Sequence, residues 1–162
     1  MADRCTLKPF CLYENINAVY VNLNKQVKKW SFQGGLRLEN TIAKGHQLTN
    51  DSTFKRNFTN LFPTAYVSYA VNPKNTLTFS YSRRIDRPNY QELNPFVFKL
   101  DELSYRQGNP FLDPQYSNTF ELSHTYKYTI TTSASYSHTR DFFAQITDTI
   151  AGEKSFITTE NL

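Results

Sequence analysis

Residues 83–87 read Arg-Arg-Ile-Asp-Arg. Arginine forks bind carboxylates and phosphates through paired hydrogen bonds. Arg83, Arg84 and Arg87, with Asp86 among them, therefore suit two chemistries. One is capture of an anionic ligand. The plainer one is a rim anchor, in which Asp86 pairs with its arginine neighbours, and exposed ion pairs of that kind are common and weak. We favour the anchor. The loop that follows carries Tyr90, Phe96, Phe98, Tyr105 and Phe111, which suit ligand contact or the packing of a folded loop on itself. Asp101, Glu102 and Asp113 are too sparse for a calcium loop. His46, His124 and His138 have no HxH or HExxH relation, and Ser31–Gly35 reads SFQGG rather than GxSxG. The expectation is a protein that is not an enzyme, with no catalytic residue, metal site or cofactor. Cys5 and Cys11 lack CxxC spacing and read as incidental thiols.

The elements that hold these residues read as β throughout. Strands are expected at about 13–23, 30–40, 62–71, 76–85 and 116–126. A sixth begins near Ile130 and runs past Asp141, and a seventh lies at 155–159. In the second, Trp30, Phe32, Leu36 and Leu38 alternate with Ser31, Gln33, Arg37 and Glu39. Ala65, Val67 and Tyr69 oppose Thr64, Tyr66 and Ser68. Leu77, Phe79 and Tyr81 oppose Thr78, Ser80 and Ser82. Phe120 and Leu122 oppose Thr119, Glu121 and Ser123. One face is apolar and the other polar but small, the pattern of a strand with lipid on one side and a lumen on the other. This register places Arg37, Glu39 and Glu121 in the lumen. The connectors run short, long, short, long, short. The turns near Lys25, Pro73 and Lys127 are expected at the periplasmic end, and the loops around Gly45 and Leu100 at the extracellular end.

Composition narrows the classes. The chain has 162 residues, 18 Lys plus Arg against 14 Asp plus Glu, and a net charge of +4. The excess is modest and divided between Lys25, Lys28 and Lys29 near one turn and Arg83, Arg84 and Arg87 at one strand end, so no nucleic-acid partner is expected. Tyr and Phe number 11 and 13, and both favour pleated, half-buried surfaces. A mean hydropathy of −0.58, with no long apolar run, excludes a transmembrane helix but not a transmembrane barrel, whose strands alternate. MADRCTLKPF lacks the apolar core of a signal peptide. An exported protein beginning this way is expected to be a piece of a longer one.

The runs SRRIDRPNYQELNPF and GNPFLDPQYSNTFEL, with YENINAVYVNLNKQVKKWSFQGGLRLENT and NLFPTAYVSYAVN upstream, resemble the barrel region of TonB-dependent outer-membrane receptors of the Bacteroidetes-type outer-membrane β-barrel family. The likeness covers about Tyr13 to Gln145. It implies a transporter wall in the outer membrane, facing outer-membrane lipid and completed by the remaining strands and plug of a full receptor. TonB would engage regions absent here, and the import of a scarce ligand (siderophore, glycan or peptide) is the implied activity. Large plugged transporters have about 22 strands. The expected fold is therefore an all-β antiparallel meander of about six or seven strands, part of a larger transmembrane barrel. Residues 1–12 are unassigned and residues 13–162 form a partial barrel domain. The alternative is a secreted or surface β-sandwich binding module with long ligand-contacting loops.

Overall fold

The computed structural model describes residues 10–47, 52–150 and 154–162. Its elements are β1 (Phe10–Val27), β2 (Trp30–Gln47), β3 (Ser52–Asn72), β4 (Asn75–Asp86), α1 (Tyr90–Leu93), β5 (Phe98–Lys99), β6 (Ser104–Arg106), β7 (Gln115–Tyr126), β8 (Ile130–Arg140), β9 (Phe143–Ile150) and β10 (Lys154–Asn161). A six-stranded sheet runs β1-β2-β3-β4-β7-β8, and a four-stranded sheet runs β5-β6-β10-β9. The chain divides into two units. Among the described residues, one is a wall built from those up to Arg84 and from 118–138, and the other a loop unit of 85–117 and those from Thr139 onward.

The wall is an antiparallel meander whose register keeps like with like. Val19 pairs with Leu38, which pairs with Leu61; Val21 pairs with Leu36; Val27 pairs with Trp30, which pairs with Tyr69. Val67 and Tyr69 continue the row to Phe79 and Leu77. β1 is thereby settled: Val19, Val21 and Leu23 share the apolar face, and Tyr20, Ala18 and Ile16 the other. This apolar face is exposed, with Val19 at 69% and Leu23 at 73% of full accessibility. The opposite face holds the buried residues Phe62, Thr41 and Glu39. A water-soluble sheet buries its apolar side; here that side is outermost, as lipid contact requires.

The strands outrun a bilayer. β1 and β2 have 18 residues each and β3 has 21, where a membrane-crossing strand needs about 9–11. The apolar face ends part-way along them. From Trp30 to Leu38 is about 27 Å of strand, or about 20 Å along the membrane normal at a usual tilt, close to the apolar band of a barrel. Beyond Leu38 the same face turns polar on all three strands at one register, Asn17, Asn40 and Thr59; in the next row Asn15 and Asn57 flank Ile42. The Asn40 amide donates to Asn57 Oδ1 and to Thr59 Oγ1, both at 2.9 Å.

Several expected boundaries change. Gly45 lies in β2, paired with Leu12 and Phe54, rather than in a loop. The second connector is therefore not long, because Gln47 pairs with Ser52, and the former loop residues Asn50 and Asp51 lie outside the described residues. Apolar and polar residues mixed on both faces hid these extensions. The first turn shrinks from residues 24–29 to Lys28-Lys29, with Lys28 in the left-handed region at φ 53°. β8 stops at Arg140 because Asp141 is left-handed at φ 54°. The expected seventh strand exists as β10, but in the smaller sheet. β1 begins at Phe10, inside the segment expected to be unassigned. Cys11 is disulfide-bonded, which corrects the reading of it as an incidental thiol; Cys5 lies outside the described residues.

Candidate functional site: the loop unit and the polar face

The loop unit folds by satisfying its own backbone. Asn89 caps α1: its side chain accepts from the Gln91 and Glu92 amides at 2.9 and 3.1 Å, and Glu92 accepts from the Asn89 amide at 2.7 Å. This reciprocal pair is a capping box, legible as Asn-x-x-Glu. Each Asn-Pro step then makes an Asx turn. Asn94 Oδ1 accepts from Phe96 N–H at 3.2 Å, and Asn109 Oδ1 from Phe111 N–H at 2.9 Å.

The two turns meet at Gly108. Its N–H donates to Asn94 O at 2.9 Å, and Asn109 N–H to Glu92 O at 2.6 Å. A Cβ on Gly108 would lie 2.5–2.6 Å from the carbonyl oxygens of Gln91, Glu92 and Asn94, so only glycine permits this approach. The Gln107 side-chain amide donates to Pro95 O at 2.6 Å. Asn161, from β10, accepts from Asp113 N–H at 2.9 Å and donates to Asp113 O at 3.0 Å and Asp141 O at 2.7 Å. The Asn-Pro steps stand out in the sequence; the helix α1 and its cap Asn89 were not expected from it. The sequence carried no signal for Gly108 or for Asn161, whose partner is 48 positions away.

β6 pairs with β10 in parallel, Tyr105 opposite Phe156, and with β5 antiparallel. Leu112 is the fully buried apolar side chain here, at 2% accessibility. The five aromatic candidates separate. Phe98 and Phe111 are 63% and 71% exposed, whereas Tyr90, Phe96 and Tyr105 are half-buried. Burial pushes the Tyr90 hydroxyl above its ordinary pKa. Val97, Leu100 and Leu103 are also exposed, so the unit presents an apolar surface suited to aromatic or aliphatic contact. Asp101 is exposed. Its carboxylate accepts from Leu103 N–H at 2.8 Å; this bond, then one from the Ser104 side chain, holds it below the ordinary aspartate range. Among the described residues no group of three or more His, Cys, Asp or Glu gathers as a metal site.

The arginine cluster does not share one face. Strand alternation gives Arg83 the parity of Tyr81 and Phe79, and Arg84 that of Ser82 and Ser80. Asp86 accepts from the Gln115 side-chain amide at 3.1 Å. That places the carboxylate against β7 rather than only among its arginine neighbours.

On the polar face of the wall, Arg37 and Glu39 form an ion pair at 3.4 Å, Glu39 nearly buried and Arg37 half-exposed. The Arg37 guanidinium lies 5.0 Å from the centre of the Phe62 ring. Glu121 is exposed on the same parity as Thr119. Hydroxyls bond across the strands on this face: Thr119 to Ser137 at 3.2 Å and Thr125 to Thr131 at 3.1 Å. Gly35 lets the Asn22 and Thr64 side chains cross its strand, since a Cβ there would lie 2.6 and 2.5 Å from them.

An exposed apolar face, a hydroxyl-lined polar face and strands joined by short turns at one end define the wall of a membrane β-barrel. The chain belongs to the outer membrane protein beta-barrel family, whose model matches residues 8–162, and it is an outer-membrane protein. Two solved structures from Pseudomonas aeruginosa share the fold. The siderophore receptor PirA is 12% identical with a TM-score of 0.56, the match covering 94% of this chain and 37% of that one. The ferric enterobactin receptor PfeA, in complex with BCV-L6, is 14% identical with a TM-score of 0.51, covering 94% and 32%. This chain thus spans about a third of the length of the receptors it resembles. No curated protein matches it.

Proposed function

We propose that this chain is wall, rim and loop of a TonB-dependent outer-membrane receptor that imports a scarce ligand such as a siderophore, a glycan or a peptide. The observation that carries this reading is the inside-out sheet, apolar outward over a height close to the apolar band of a barrel, in a chain of the barrel family. The similarity to a siderophore receptor and a ferric enterobactin receptor favours a siderophore among these ligands. Phe98 and Phe111 are the exposed ligand contacts, with Tyr90, Phe96 and Tyr105 shaping the loop beneath them. Arg83, Arg84, Asp86 and Arg87 anchor the loop at the rim, and Arg37, Glu39 and Glu121 line the lumen. Outer-membrane lipid meets the apolar face, further strands and a plug complete the barrel, and TonB supplies energy through segments outside this chain. The role includes no catalytic step.

Uptake tests this. Cells with and without the protein are offered labelled ferric siderophore, glycan and peptide, with and without a protonophore. One class should accumulate only in cells that have the protein and an energised inner membrane. Uptake indifferent to the protonophore would refute energy coupling. A monodisperse, cooperatively melting monomer in plain buffer would refute the membrane reading itself.

A further inference from the structure

The turn end of the wall carries lysine and no acid. Lys28 and Lys29, Lys74 and Lys127 occupy the three turns, and Lys25 precedes the first. The turns lie side by side: Ala70 N–H donates to Lys29 O at 2.9 Å, and Lys127 N–H to Lys74 O at 2.6 Å. Residues 22–31, 68–76 and 123–131 contain no Asp or Glu. The cations therefore stand along one edge without an acidic residue in those segments.

The apolar face begins immediately beside them, and it begins with aromatics. Trp30 stacks on Tyr69 with ring centres 4.3 Å apart and on Phe32 at 5.8 Å. Lys25 is directly opposite Phe32 on that same face. Lys29 Nζ donates to Val71 O at 3.0 Å, and Lys127 Nζ lies 5.3 Å from the Tyr126 ring centre. An ammonium held at the border of an apolar, aromatic surface stands where a phosphate lies when acyl chains cover that surface.

We propose that this lysine edge binds the phosphate groups of anionic glycerophospholipids, in preference to zwitterionic ones, in the leaflet that the turns meet. The proposal rests on the apolar face being lipid-facing. A zwitterionic headgroup brings its own cation to a row of lysines, whereas an anionic one brings only attraction, and each basic group near such a surface is worth about 1 kcal/mol.

Trp30 is the single tryptophan of the chain, and it reports on the lipid at this edge. The full chain in detergent micelles is titrated with phosphatidylglycerol or phosphatidylethanolamine bearing brominated chains, which quench indole on contact, and Trp30→Phe serves as the blank. Half-quenching by phosphatidylglycerol is expected at about one-fifth of the mole fraction that phosphatidylethanolamine needs. The preference should vanish when Lys25, Lys28, Lys29, Lys74 and Lys127 are all changed to Gln. It should also vanish in the unaltered chain at 1 M salt, where charges are screened beyond about 3 Å. Lys44→Gln with Lys55→Gln, beyond the apolar band, should leave it intact. Equal quenching by both lipids overturns the proposal and spares the membrane reading; quenching by neither overturns that reading. A preference surviving both neutralisation and salt, or abolished by millimolar inorganic phosphate, also overturns lipid-headgroup binding by these lysines.

Discussion

The wall and the loop unit are held by different physics. In the wall, long strands pair residue for residue, and apolar side chains meet across the ladder: Val19, Leu38 and Leu61 in one row, and Trp30 and Tyr69 in another. Its order comes from a pattern of period two repeated over many residues, so that slipping one position would turn every apolar side chain toward the polar face. The loop unit has short strands, parallel and antiparallel, and one fully buried large apolar side chain, Leu112. It is ordered by Asx turns, a capping box and a glycine approach, each satisfying backbone groups that would otherwise be unpaired. A repeated pattern tolerates the loss of one member, whereas a close backbone approach depends on a single residue.

The largest expected effect breaks the wall. Leu36→Arg puts a charge inside the apolar band and should cost about 2–4 kcal/mol, whereas Asn40→Arg, at the polar border four residues on, should cost about 0–1. Urea unfolding in detergent or lipid vesicles measures both. Equal costs would show that the apolar face does not end at Leu38.

Gly108→Ala should break the loop unit alone. Its Cβ meets backbone oxygens, which cannot swing aside as side chains do, and overpacking of this kind costs about 1–3 kcal/mol. Hydrogen exchange should accelerate at Gly108 and Asn109 and remain unchanged in β1–β3. Acceleration across both units would show that they melt as one.

The smallest effect sharpens the comparison by pH. Asp101 has a folded pKa below its unfolded value, so its bonds to the 103–104 turn stabilise the loop unit above the ordinary aspartate range. That contribution is lost as pH falls through the lowered folded value. The Leu103 amide resonance should titrate with a midpoint below that of a free aspartate, and Asp101→Asn should abolish the titration. A midpoint above the free value would reverse the sign and remove the bond's role.

How much was legible follows the same division. Alternation in residues 30–38, 64–71, 76–82 and 119–123 assigned both faces of the wall, because a period of two survives without knowledge of the partner strand. Arg37, Glu39 and Glu121 stand on the polar face by the same logic. The extensions of β2 and β3 were not legible, since beyond Leu38 apolar residues such as Ile42, Ala43 and Phe58 no longer fall on one face and the contrast that marks a strand disappears. In the loop, the Asn-Pro steps marked turns, which are local, whereas the capped helix α1 was missed although Asn-x-x-Glu is a local signal for it. β5, β6, β9 and β10 were hidden or misplaced because short strands acquire meaning only from distant partners, such as Tyr105 with Phe156.

By itself, then, the chain determined its class: alternating aromatic and small polar residues commit it to a sheet with one greasy and one hydroxylated side, whatever the partner. Tertiary structure alone decided where the apolar face stops and where a glycine is obligatory. Those depend on register and close approach between segments far apart in the chain, and residue types do not encode such distances.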